Sequence, residues 1–179
     1  IAPFLSLIGI WRFARTPHRL VDQKDGFIDG AKITRVHESL GSYGMGGPGF
    51  LGLRIAPLHS DSTWLVFTVW GASSWLTIDG RPCKEGFHFA DEIAKAEATY
   101  GPDLPRIVDL VGYTVQTCRL EQRRFELTLQ RDSETRRLQL LADSPHLPIF
   151  RGSKEPRIMD DSEDIRCGVV LSRRANLWV

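Results

Sequence analysis

Apolar and polar positions change period several times along this chain, and each change marks an element. Residues 64–70 (WLVFTVW) are apolar at six of seven positions. A run so short, rich in β-branched and aromatic side chains, predicts a strand covered on both faces. Residues 71–74 interrupt the run, residues 75–78 resume it, and Asp79-Gly80-Arg81-Pro82 closes it with a turn signal. Together, 64–78 predict a hairpin at the centre of an antiparallel sheet. It holds three of the five Trp residues, which bury large areas.

The rest of the pattern surrounds that centre. Residues 2–9 (APFLSLIG) carry Pro early and Gly last, predicting a short helix. Residues 10–14 read as a strand and 16–29 as turns. Residues 31–38 read as a strand of poor alternation, with Ile33, Arg35 and His37 on one side and Lys32, Thr34 and Val36 on the other. In 50–55, Leu51, Leu53 and Ile55 alternate with Gly52 and Arg54, again a strand. Phe89, Ile93, Ala96 and Tyr100 recur at helical spacing within 87–100, and Gly101-Pro102 stops that helix. Residues 104–112, from Pro105 to Gly112, predict a second short helix.

Residues 113–120, 125–130 and 138–142 then predict a meander with one polar face. Strict alternation puts Cys118 on the polar face, making it the most exposed thiol. Residues 144–166 read as a surface loop, and 167–171 and 176–179 as closing strands.

The sum is an α+β fold, predominantly antiparallel β with hairpins, a meander and two or three short helices, in a single domain over 1–179. An internal repeat (2–86 and 105–156) is a further expectation. Leu5-Ser6-Leu7-Ile8-Gly9 aligns with Val108-Asp109-Leu110-Val111-Gly112. Leu51-x-Leu53-x-Ile55 likewise aligns with Phe125-x-Leu127-x-Leu129, and Leu65-x-Phe67 with Leu138-x-Leu140.

Charge narrows the function classes. With 23 basic and 22 acidic residues, the net charge of +1 lacks the excess expected of a nucleic-acid or membrane-surface protein. Cys83, Cys118 and Cys167 are odd in number, far apart and without a C-x-x-C, so a reducing cytoplasm is expected. The apolar stretch 1–11 is too short to span a bilayer and lacks the basic lead and cleavage site of a signal peptide. It is expected to be buried structure.

No motif names a reaction. Gly44, Gly46 and Gly49 satisfy G-x-G-x-x-G, but a strand rather than a helix follows, so they read as a glycine-rich loop. No G-x-S-x-G elbow occurs. The acidic run 160–164 lacks the Gly and Glu of a calcium loop. Arginines around the last hairpin (Arg119, Arg124, Arg131, Arg136 and Arg137 among them) alternate with carboxylates and read as sheet-edge charges. The expected function is therefore a non-enzymatic binding module, contacting a partner protein or a second copy of itself through a sheet face or edge. The alternative is a small-molecule enzyme or ligand-binding protein with a pocket between the loop 41–52 and the hairpin 64–78. His37, Glu38, His59 and Asp61 would supply its polar groups, and Tyr43 or Trp70 would stack on the ligand. Neither reading calls for a cofactor, a metal or a catalytic residue.

Overall fold

Apolar side chains at every second position build the long strands of the second half, and short turns pair them. A computed structural model of the chain describes residues 18–19, 24–38, 50–56, 63–68, 74–87, 90–121, 124–142 and 169–172. Their strands are β1 (His18–Arg19), β2 (Lys32–His37), β3 (Phe50–Ala56), β4 (Thr63–Thr68), β5 (Ser74–Ile78) and β6 (Arg81–Pro82), followed by β7 (Thr114–Leu120), β8 (Arg124–Arg131), β9 (Glu134–Ala142) and β10 (Val169–Ser172). One α-helix, α1 (Ala90–Tyr100), and two 3-10 turns, Lys84–Gly86 and Ile107–Leu110, lie between β6 and β7. The fold is mostly antiparallel β, as expected.

Helix content differs from expectation. Residues 2–9 lie outside the described residues, and the second predicted helix is only the four-residue 3-10 turn. Pro105 precedes that turn. Asp109 Oδ2 accepts the Arg106 N–H, and Gly112 ends the segment with φ 92°. The Arg106–Asp109 cap and Gly112 bracket only four residues, enough for one 3-10 turn and no longer helix. Helix α1 forms where 3.6-residue spacing was seen, and Gly101 stops it with φ 91°.

The strands form one sheet in the order β1-β10-β4-β3-β2-β7-β8-β9-β5-β6. Two of the ten, β1 and β6, have two residues each and sit at the edges. The order overturns the predicted central hairpin. β4 pairs with β3 and β10, while β5 pairs with β9 and β6. Consecutive apolar strands suggest partners, but local pattern carries no information on which strand pairs with which.

The order is a palindrome about the β2–β7 contact. Meander β2-β3-β4 and meander β7-β8-β9 meet there through reciprocal backbone bonds. Ile33 N donates to Tyr113 O and Gly112 N to Ile33 O, while Val115 N donates to Ala31 O and Gly30 N to Val115 O. The strand after β4 crosses to pair with β9, and the strand after β9 crosses to pair with β4. Leu51, Leu53 and Ile55 thus hold the same registers in one meander as Phe125, Leu127 and Leu129 in the other. Gly30 and Gly112, with φ 81° and 92°, occupy the same place before β2 and β7.

The sheet curls strongly. Six residue steps from Thr68 to Ser74 reach at most about 22 Å. In a flat sheet, β4 and β5, six strand positions apart, would be separated by about 29 Å. Phe67 of β4 and Phe125 of β8 are four positions apart, yet their ring centroids lie 5.6 Å from each other. Apolar faces of both meanders therefore enclose one core, including Ile33, Leu53, Leu65, Leu127, Leu138 and Val169, all 0% exposed. A satellite cluster joins Phe87, Ala96 and Leu104, which anchors α1.

Bulges decide faces within β2 and β7. The β2–β3 register shifts between Ile33 and Arg35, and the β7–β8 register between Val115 and Thr117. One extra residue moves every later side chain to the opposite face. Val36 consequently packs against the core, which accounts for the poor alternation in 31–38. Cys118 likewise faces inward at 2% exposure rather than outward as predicted.

Candidate functional site

The last residues of β5, the first of β9 and the turn before β7 open at one end of the sheet. The segment following α1 crosses that opening. Between them lies a cavity of about 510 Å³. Five cationic side chains line it, Arg81, Lys84, Arg106, Arg131 and Arg136, with three acids, Glu97, Asp103 and Asp109, and the ring of Tyr113.

Strand geometry brings these groups in from distant parts of the chain. Arg81 follows the Asp79-Gly80 turn, whose left-handed φ values of 53° and 78° suit a tight hairpin. Register places Arg81 opposite Ile78 and Arg136 opposite Leu129. Arg81 Nη2 donates to Gly101 O at 3.2 Å and to Pro102 O at 2.8 Å, tying the end of α1 to the sheet. Cations suit the carbonyl-rich end of a helix. Lys84 N donates to Pro105 O, which places that residue on the same crossing segment.

The floor of the cleft is a connected network. The Tyr113 phenol lies beside Glu134 and Arg136, which both act on its ionisation. Arg136 also reaches Asp79 at 3.0 Å and Glu134 at 2.6 Å. The Arg131 guanidinium lies 4.4 Å from the centroid of the Tyr113 ring and donates to Val111 O. Burial, then the bond to Glu134, pushes the Tyr113 phenol above its ordinary pKa. The bond from Tyr113, then Arg136, holds Glu134 below the usual carboxylate range. Arg106 is held by Glu38 and by Glu85, whose other oxygen accepts Ile107 N at 3.2 Å.

The two-fold arrangement provides a comparison inside the same molecule. Positions equivalent to Tyr113 and Arg136 in the first meander are Ala31 and Thr63, fixed by matching backbone bonds and register. One half of the sheet therefore forms without the aromatic and the arginine that floor the cleft in the other.

Of the residues predicted for a pocket, Tyr43, His59, Asp61 and Trp70 lie outside the described residues. His37 and Glu38 are adjacent in sequence, but their side chains diverge. The His37 ring meets Trp64 edge-on at 6.2 Å, whereas Glu38 reaches Arg106 beside the cleft. Sequence reasoning read Arg131 and Arg136 as edge charges and passed over Arg81, Lys84 and Tyr113. The Asp-Gly-Arg signal marked the turn, but nothing local indicates that its Arg meets residues 101–136. Among the described residues, no group of three or more His, Cys, Asp or Glu is placed to hold a metal, and no helix is long and apolar enough to cross a membrane.

Comparison of the chain with protein-family models, curated proteins and solved structures finds no match.

Proposed function

We propose that this chain is a small-molecule binding protein whose ligand enters the charged cleft between the sheet and residues 101–110. Its two meanders are copies of one ancestral unit that exchanged their fourth strands. The observation that carries the binding reading is the asymmetry between the copies. Ala31 and Thr63 serve the fold where Tyr113 and Arg136 stand in the second half, so folding alone does not call for the cleft's network. A concave site with convergent polar groups is where small molecules bind.

Binding without chemistry suits the groups present. Among the described residues, both thiols are buried. Burial pushes Cys83 well above its ordinary pKa and Cys118 up to about 12, which suppresses thiolate nucleophilicity. Recruitment of a partner strand has less support. Each described sheet edge is a two-residue strand, and Pro82 lacks a donor at one of them.

Ligand-observed NMR with a mixture of small polar metabolites tests this reading. Saturation transfer is expected from the native chain and is expected to be lost in a Lys84→Gln/Arg131→Gln double variant that melts like the native chain. Transfer undiminished in the variant, or absent from the native chain, would refute it.

A further inference from the structure

The charges of the cleft divide into those already matched and those left over. Arg106 is matched by Glu85 and Glu38, and Arg136 and Arg131 by Glu134 and Asp79. Asp109, like Arg81, has only a backbone partner, its carboxylate accepting the Arg106 N–H. Five groups lack an ion pair among the described residues. Arg81 touches only backbone carbonyls, and Lys84, Glu97 and Asp103 have no ion pair among the described residues. Arg81, Lys84, Glu97 and Asp103 gather on one wall. Arg81 bonds to residues 101 and 102, Lys84 bonds through its backbone to residue 105, Asp103 lies between them, and Glu97 is one helical turn before Gly101. They line one cavity, yet no ion pair within 4.0 Å joins either cation to either acid. Asp103 also holds a left-handed φ of 57°.

Arg81 and Lys84 against Glu97, Asp103 and Asp109, all lining one cavity without an ion pair among the described residues, complement a ligand that carries both charges. An anion alone would face Glu97 and Asp103, and a cation alone would face Arg81 and Lys84. We infer that the ligand is a small zwitterion of the α-amino-acid kind, its carboxylate on Arg81 and Lys84 and its ammonium on Glu97 and Asp103. This rests on the cleft being the binding site. The matched network of Tyr113, Arg131 and Arg136 then forms the floor beneath the ligand's side chain.

Isothermal titration with each of the twenty free L-amino acids tests it, followed by the N-acetyl and methyl-ester derivatives of any that bind. At least one amino acid is expected to bind, and blocking either charge is expected to weaken it about tenfold or more. Glu97→Gln and Lys84→Gln, at a half-buried and an exposed residue, are each expected to weaken binding by a similar factor while leaving the ligand-free melting temperature unchanged. An N-acetyl form that binds as tightly as the free amino acid would overturn the zwitterion and leave the cleft reading standing. Binding undiminished in both variants would place the amino acid elsewhere and overturn the inference. No binding by any amino acid at about 10 mM, several-fold above a millimolar Kd, would also overturn it, with the metabolite mixture then judging the cleft alone.

Discussion

If the sheet curls as described, Phe67 and Phe125 are energetic neighbours, and a double-mutant cycle reads that directly. Both rings are 0% exposed, and their planes tilt by 60° with centroids 5.6 Å apart. Phe67→Leu and Phe125→Leu keep the positions apolar, so each is expected to cost about 1–1.5 kcal/mol. An aromatic pair in this geometry contributes about 0.5–1.5 kcal/mol beyond burial, so the double variant should cost less than the sum of the singles by that amount. Were the sheet flat, the two residues would stand about 19 Å apart. Substitutions so distant add to within about 0.3–0.5 kcal/mol. Urea unfolding followed by Trp fluorescence supplies all four stabilities, with unchanged m-values showing that the denatured state is the same throughout. Strict additivity would refute the enclosed core shared by the two meanders.

Further outcomes follow from single residues. Gly112→Ala places a side chain at φ 92° with nothing nearer than the Arg131 Cδ at 3.6 Å, so backbone strain alone should cost about 1–2 kcal/mol in urea unfolding. Glu134 has a lowered pKa in the folded chain, so its contribution is present above the unfolded carboxylate pKa of about 4.3 and is lost as pH falls through the folded value. Glu134→Gln should therefore flatten the loss of urea resistance between about pH 5 and pH 3, and an unchanged acid limb would show that the Tyr113–Arg136 network is not formed. Cys118 has a raised pKa, so its buried thiol stabilises the fold below about pH 8.5 and that contribution fades toward pH 12. In native buffer at about pH 8, Cys83 and Cys118 should resist a thiol reagent that labels them once urea is added, and rapid native labelling of either would contradict their burial.

Local pattern determined much of this protein. Alternation located β3, β8 and β9, and the unbroken apolar run located β4, buried at Trp64 through Phe67 on both faces. Four-three-four spacing and Gly101-Pro102 located α1 and its end. The matched apolar triplets Leu51-Leu53-Ile55 and Phe125-Leu127-Leu129 were visible as a pattern, because register in a core strand constrains side-chain type. What the pattern could not contain is anything that depends on two distant segments at once. A single extra residue at Thr34 or Gln116 bulges only against a partner strand, so the inward turn of Val36 and Cys118 was hidden. The pairing of β5 with β9 and of β10 with β4, and the curl that makes both possible, depend on which apolar faces can close on each other. The cleft is the extreme case. Arg81, Lys84, Glu97, Asp103 and Arg136 are polar side chains with ordinary surface readings, Tyr113 reads as a strand residue, and only the crossing of residues 101–110 over the end of the sheet makes them neighbours. Periodicity reports how each residue meets the core, whereas a site is built from residues whose sequence separation leaves no periodic trace.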